Sequence, residues 1–250
     1  MKFLGSAAKT AYYYKKIQGC TSPNWKLQYK FKCKNTEFEL TNWLKNYPIK
    51  EYKPIAIVAK EQSSGIGQNS RQWISPKGGI WISAAYPIFS SKFSSEIFGL
   101  SVAIKLCEMF SRESIKVDLK WPNDIFFNSK KLIGFLPRVI TRGQEIICVR
   151  IGLGINFLNK TPIEGIALSE ILNTKNICEY YWTAKILKII YHSVECNDKK
   201  EYIIENANKY LTKSHLPRGY SSNEWRIKDV DINGNLRIYN ENQEKILTRF

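Results

Sequence analysis

The stretch Lys120-Trp121-Pro122-Asn123-Asp124-Ile125-Phe126-Phe127-Asn128-Ser129-Lys130-Lys131-Leu132-Ile133-Gly134 decides how the rest of the chain is read. A β-type run, Val117 to Trp121, stops at Pro122, whose ring nitrogen cannot donate to a strand ladder. A short apolar run, Ile125 to Phe127, then meets the turn-forming pair Asn128-Ser129, and a second run continues from Leu132 to Val139. The pattern predicts a strand followed by a β-hairpin. Asn123 and Asp124 fall at the end of one strand, and Lys131 opens the next beside the small Gly134. A lysine entering a strand among apolar neighbours either snorkels to water or is held for a charged ligand.

Upstream, Trp25 to Cys33 alternates well enough for a strand, and Asn35-Thr36-Glu37 reads as a helix-capping turn. Phe38, Leu40, Trp43 and Leu44 supply the apolar face of the helix it starts. Ile55 to Ala59 is a short buried strand that runs into a long polar loop, Glu61 to Trp73, containing Gly65-Ile66-Gly67. Ser75-Pro76-Lys77-Gly78-Gly79 turns into a strong strand, Ile80 to Tyr86. Ser94-Ser95 caps a helix of roughly 16 residues with Ile97, Leu100, Ile104 and Leu106 facing inward.

Downstream, Thr141-Arg142-Gly143-Gln144 is a tight return into a strand from Glu145, which ends at Gly152-Leu153-Gly154-Ile155-Asn156. Tyr180 to Val194 and Glu201 to Leu211 read as helices, and His192 on the first is structural. Past a polar connection, Lys213 to Asn223, only short strands remain: Trp225 to Ile232, a turn at Asn233-Gly234, Leu236 to Tyr239, and Lys245 to Thr248. The chain therefore divides into a main domain, 1–212, and a small β domain, 213–250, too poor in apolar residues to fold alone. Strands and helices mix without a βαβα beat, so the fold class is α+β, a mixed and largely antiparallel sheet flanked by helices. Pro137 inside a strand run suggests an edge or bulge position.

Composition narrows the function classes. Hydrophobic residues make up 44% of the 250, with seven tryptophans, enough for a packed core. No run of ~18 apolar residues occurs, so no membrane span is expected. The apolar part of the start, Met1 to Ala8, is shorter than the ~7 residues of a signal-peptide core and Lys9 follows it, so a cytoplasmic protein is expected. The six cysteines form no Cys-x-x-Cys pair and the two histidines lie far apart, which offers neither a zinc pattern nor a disulfide framework. A Ser-His-Asp hydrolase is disfavoured by the same count. The formal charge of +16 is spread along the chain rather than clustered, so it favours diffuse bias, or steering of an acidic protein, over a nucleic-acid site.

Trp121-Pro122-Asn123-Asp124, a lysine seven residues past the Asp and Gly134 three further on resemble the signature of biotin–protein ligases. The glycine loop strengthens the resemblance: Gln62, Gly65, Gly67, Arg71, Trp73, Ser75, Pro76 and Gly79 fit the family's ligand loop, and Gly152, Gly154, Ile155, Asn156 and Ala167-Leu168-Ser169 also agree. The loop is neither a P-loop nor a dinucleotide fingerprint, because no Gly-Lys-Ser/Thr follows and a strand rather than a helix comes after. There are departures. Gln68 stands where an arginine is usual, Ile66 where many members are basic, and Asn35-Thr36-Glu37 only partly matches the biotin-contacting Ser-Thr-Asn.

The resemblance covers Trp25 to Leu172 and more loosely the tail. It implies a core similar to class II aminoacyl-tRNA synthetases followed by an abbreviated SH3-like β domain, with 1–212 as the biotin- and ATP-binding part. It further implies a ligase that makes biotinyl-5′-AMP from biotin and ATP with Mg²⁺ and transfers biotin to a lysine of a carrier domain, that of acetyl-CoA carboxylase by analogy. Lys131, Asp124 and Arg71 become the catalytic candidates. Asn35, Thr36, Glu37, Gln62, Ile66, Gly67, Gln68, Lys131, Gly134 and Gly154 become biotin-site candidates, and Gly65, Trp73, Asn123, Lys131 and Asn156 nucleotide-site candidates; no metal ligand is assigned. Lys60 or Lys77 is expected to offset the charge lost at Gln68.

Three rivals stand beside this reading. Lipoate–protein ligases share the reaction logic. A biotin-responsive repressor would need a winged-helix segment before the core, and Trp25 already opens the core, so no DNA partner is expected. A non-catalytic biotin-binding protein would explain Gln68 but not the retention of Lys131, Asp124 and Arg71. A monomer or homodimer without membrane association is expected.

Overall fold

Alternation and apolar runs set most of the elements. The computed structural model describes residues 5–18, 23–46, 53–89 and 92–248; Cys20 and Met1 to Leu4 lie outside them. The chain begins with α1 (Ser6–Gln18), β1 (Lys26–Lys30), α2 (Thr36–Asn46) and β2 (Ile55–Ala59). Next come β3 (Gln62–Ile66), a 3₁₀ turn (Gln68–Ser70), β4 (Gln72–Ser75) and β5 (Ile80–Pro87). The middle holds α3 (Phe98–Arg112), β6 (Asp118–Lys120), β7 (Asp124–Phe127), β8 (Lys130–Arg142) and β9 (Glu145–Ile155). The remainder is α4 (Leu168–Ile171), α5 (Glu179–Glu195), α6 (Lys200–Tyr210), β10 (Arg226–Val230), β11 (Leu236–Tyr239) and β12 (Glu244–Leu247).

These elements fall into two compact units, Met1–Ser91 with Lys130–Tyr191, and Lys92–Ser129 with His192–Phe250. The first contains the strand order β1-β2-β5-β9-β8, with β1 parallel to β2 and the other neighbours antiparallel. β2 and β5 are buried along their whole lengths, which is why they read as unbroken apolar runs. α2 lays Leu40 against Ile55, Ile57 and Ala85, with Trp43 and Leu44 alongside, the helical spacing expected of an inward face. A turn at Gly143, with φ of 62°, joins β8 to β9, and the register of that pair shifts at Ile140/Thr141 rather than at Pro137.

In the second unit α3 buries Phe98, Leu100, Ile104, Leu106 and Phe110, and α6 buries Ile203 and Ala207. β6 and β7 form an antiparallel hairpin about Trp121–Pro122, whose peptide bond is cis. The strands β10-β11-β12 form the expected meander. It is tied into this unit by Trp121 Nε1, which donates to the Gly234 carbonyl at 3.0 Å, and by Asn208, which bonds both backbone groups of Val230 at 2.9 and 2.7 Å.

A mixed, largely antiparallel sheet flanked by helices, with a small C-terminal strand domain, is the fold class read from the sequence. Three local readings change. Glu61 to Trp73 is a two-stranded hairpin, β3-β4, rather than an open loop. Ser94-Ser95 does not cap α3; its N-cap is Ile97, and the Ser94 amide donates to Asn197 Oδ1 instead. The helices α1 and α4 carry no signal that was read in the sequence. Among the described residues no helix is long and apolar enough to cross a membrane.

Candidate functional site

The parallel pair β1-β2 releases two chain segments side by side. Cys33 bridges Gln62, and the amides of Ser63 and Ser64 donate to the carbonyls of Cys33 and Lys34 at 3.0 and 2.9 Å. Asn35 then caps α2, its Oδ1 accepting the Phe38 amide at 2.7 Å while its Nδ2 donates to the Ser64 carbonyl at 3.1 Å. Gln62 becomes the centre of a polar chain. Its Oε1 accepts the Thr36 amide at 2.8 Å and the Thr36 hydroxyl at 3.2 Å, and its Nε2 donates to Ser75 Oγ at 2.8 Å. The Thr36 hydroxyl also lies 2.8 Å from Ser83 Oγ. Thr36, Ser75 and Ser83 are buried, so each oxygen depends on the others for satisfaction.

Beside this chain the sheet has a bare patch. Gly134 on β8 and Gly154 on β9 are directly paired, and the Trp73 indole lies against both. A methyl group on Gly134 would come within 2.8 Å of the Trp73 ring, and one on Gly154 within 2.6 Å. Lys131 Nζ stands 4.7 Å from the centre of that ring, close enough for a cation–π attraction. Its main chain is pinned: the amide donates to the Glu164 carbonyl at 2.8 Å, and the carbonyl accepts from the Ile166 amide at 3.1 Å and from Asn156 Nδ2 at 3.1 Å. Asn156 thus holds the base of Lys131, and its own Oδ1 accepts from Asn159 at 3.1 Å. Trp73 Nε1 is buried without a hydrogen-bond partner.

Gly65 explains why this hairpin needs glycine. A Cβ there would lie 2.3 Å from the Trp73 carbonyl and 2.5 Å from Ser75 Oγ, so any side chain would separate β3 from β4. At the tip the Gly67 amide donates to the Arg71 carbonyl at 2.7 Å, and Asn69 and Ser70 take φ of 54° and 57°. Ile66 and Arg71 are exposed and Gln68 is half-buried.

The family comparison now has a frame. Residues 34–156 match the model of the Biotin/lipoate A/B protein ligase family. Those residues form a domain of that family. The chain is similar to the bifunctional ligase/repressor BirA of Bacillus subtilis, 33% identical over 108 residues, which are 42% of this chain and 33% of that protein. It also resembles the biotin–[acetyl-CoA-carboxylase] ligase of Paracoccus denitrificans, 24% identical over 40% of this chain and 43% of the relative. The match therefore spans about a third of the first of these curated relatives and less than half of the second. In fold it is similar to the biotin protein ligase of Aquifex aeolicus solved with biotin and ATP, with a TM-score of 0.67 and 23% identity over 89% of this chain and 95% of the other.

Every catalytic, biotin-site and nucleotide-site candidate named in the sequence lies within residues 34–156, whereas Ala167-Leu168-Ser169 lie beyond them. Asn35, Thr36, Gln62, Gly65, Trp73, Lys131, Gly134, Gly154 and Asn156 are joined by the contacts above within the first unit. The Glu37 carboxylate turns to Arg150, 2.8 Å away. The ammonium of Lys60 pairs with Glu179 and lies over Tyr180, and that of Lys77 lies 4.8 Å from the centre of Phe31. Asn123 and Asp124 belong to the second unit, Asn123 buried in the β6-β7 turn and Asp124 opening β7 opposite Lys120. Sequence reasoning missed Ser83 and Arg150. Ser83 is a polar residue inside the fully buried β5, and Arg150 a charged residue on the half-buried β9, placements that demand a partner and are themselves a signal. Among the described residues no group of three or more His, Cys, Asp or Glu side chains is gathered to hold a metal ion.

Proposed function

We propose that this chain activates biotin with ATP and passes it to a carrier-protein lysine. In the first step a biotin carboxylate oxygen attacks the α-phosphorus of ATP, the bond to the β-phosphate oxygen breaks, and pyrophosphate leaves. In the second, the neutral lysine amine attacks the acyl carbon of biotinyl-5′-AMP, AMP departs, and the amine loses its proton. Such transfers ask the protein mainly to align reactants and offset negative charge.

One observation carries the reading: the Lys131 ammonium is held over Trp73, whose ring covers the paired Gly134 and Gly154 and whose carbonyl accepts from Ser75, the end of the buried Ser83–Thr36–Gln62–Ser75 chain. Lys131 would meet the carboxylate and α-phosphate oxygens. The amide and hydroxyl groups of Asn35, Thr36 and Gln62 suit the ureido head of biotin, which carries both donors and an acceptor. The hairpin Ile66-Gly67-Gln68 would fold over the ligand, with Arg71 adding charge and Trp73 packing on adenine. Asp124 and Asn123 would organise nucleotide or the incoming amine. Mg²⁺ would travel with the ATP phosphates as part of the substrate.

Support comes from the family match and from the Aquifex aeolicus structure, which holds biotin and ATP on a similar fold. Residues 1–212 would bear the chemistry and 213–250 would be the small appended β domain. The five described cysteines are all free thiols, in keeping with a cytoplasmic setting. The acceptor is proposed as the biotin carrier domain of a carboxylase. Incubation with biotin, ATP, Mg²⁺ and such a domain, followed by mass measurement, should add one biotinyl group to the carrier; an unmodified carrier rejects the proposal. The family description also names lipoate ligases, so ATP–pyrophosphate exchange should be run with each acid, and exchange driven by lipoate instead of biotin would replace one substrate by the other.

A further inference from the structure

We infer that Glu37 and Arg150 form a positioning clamp that sets the biotin end of the site without touching biotin. The inference rests on the ligase reading above. Arg150 lies on β9, opposite Ala85 of β5 and two pairs beyond Ser83 and Gly152. Its guanidinium reaches the first turn of α2 through a single nitrogen with three contacts. Nη2 lies 2.8 Å from Glu37 Oε1, donates to the Thr41 hydroxyl at 2.7 Å, and reaches the Glu37 carbonyl at 3.2 Å. The Thr41 hydroxyl in turn donates to the same carbonyl at 2.8 Å. Arg138 on β8, opposite Arg150 in the register, stands 3.7 Å from Glu37 and is more exposed.

The consequence falls on Thr36, the residue before Glu37. Its amide and hydroxyl must meet Gln62 from one side and Ser83 from the other, which requires the start of α2 to sit at one fixed height above β5. Asn35 holds that end from the β3 side through Ser64. Arg150 holds it from the β9 side. The guanidinium has 14% of its side-chain surface exposed, so it needs a counter-charge, and a cation at a helix N-terminus opposes the helix dipole. Glu37 supplies that charge and is itself favourably placed in the first turn. A carboxylate held in this way is a poor partner for a ureido carbonyl, which wants a donor.

The test is a double-mutant cycle read by direct biotin binding, with ATP affinity and thermal midpoint measured beside it. Arg150→Met should weaken biotin about tenfold and Glu37→Gln about fivefold, with the ATP affinity of each within twofold of wild type. The double variant should be no weaker than Arg150→Met alone, because the two residues act as one. Arg150→Lys keeps the charge and places its donors on one nitrogen, as Nη2 does, so it should restore part of the loss. Multiplying losses, equal losses for biotin and ATP, or a lowered midpoint with unchanged biotin affinity would each overturn the clamp and leave the ligase reading standing. A wild-type chain that binds no biotin would instead sink the ligase reading, and the clamp with it.

Discussion

Gly154→Ala probes whether the bare sheet patch exists to seat Trp73. The added methyl would lie 2.6 Å from Trp73 Nε1, 2.9 Å from Cε2 and 3.1 Å from Cζ2. Unstrained heavy-atom contacts run at ~3.5–4.0 Å, so the indole must lift by roughly 1 Å. Overpacking of this size costs about 1–3 kcal/mol. Drawing the ring away from Lys131 forfeits part of a cation–π contact, about 0.5–1 kcal/mol. Replacing a strand glycine returns about 0.5–1 kcal/mol of backbone entropy. The net loss is about 2 kcal/mol, which lowers the thermal midpoint by roughly 4–8 °C for a chain of this size. The decisive control is the same change in a Trp73→Ala background. With the ring gone the methyl has space, and Gly154→Ala should be neutral or slightly stabilising. An equal drop in both backgrounds, followed by circular dichroism or scanning calorimetry, would show that the glycine serves something other than the indole.

Further outcomes follow from the same contacts. Lys131→Ala should slow biotin-dependent ATP–pyrophosphate exchange at least 10²-fold, about 3 kcal/mol, with the melting curve unchanged within a few degrees; retained exchange would remove that residue from its role. Gln68→Arg should slow release of biotinyl-5′-AMP, measured by chase with unlabelled ligand, because Lys60 is engaged by Glu179 and Lys77 lies over Phe31; equal rates would show that this position does not bear on the adenylate. In the second unit, the hydrogen bond and charge of Arg237 hold the Asp229 carboxyl below its ordinary value. That stabilisation is present above the unfolded carboxylate range and is lost as the pH falls through the depressed folded value. Asp229→Asn should therefore lower stability at neutral pH and flatten the acid limb of the denaturation profile, and an unchanged acid limb would count against the pair.

The sequence carried the fold where the signal is local. Asn35 at the start of α2, the spacing Leu40, Trp43 and Leu44, the unbroken runs of β2 and β5, and the glycine turns at 143 and 234 each declare themselves within a few residues. The β3-β4 hairpin was hidden because its polar composition imitates a loop; its cause, Gly65 packed on the carbonyl of Trp73, exists only once the strands are paired. The α3 start lies further along than Ser94-Ser95 suggest, with Ile97 as its N-cap, while the Ser94 amide is held by Asn197, about a hundred residues away in sequence. The site was legible as a set of residue types and not as a network. Gln62 could be named from the motif, but its bonds to Thr36 and Ser75, and the reach of Thr36 to Ser83, depend on the parallel β1-β2 pair and on β5.

The three glycines on this face of the sheet differ in how much room stands above them. At positions 134 and 154 a single carbon collides with the indole, whereas at 152 it would meet Ser83 Oγ at 3.7 Å and Leu136 at 4.0 Å, ordinary packing distances. Position 152 is therefore the one of the three where bulk can be added without unseating Trp73. On the proposed ligase reading, that would make residue 152 the dial for which acid is admitted, and its two neighbours fixed points of the frame.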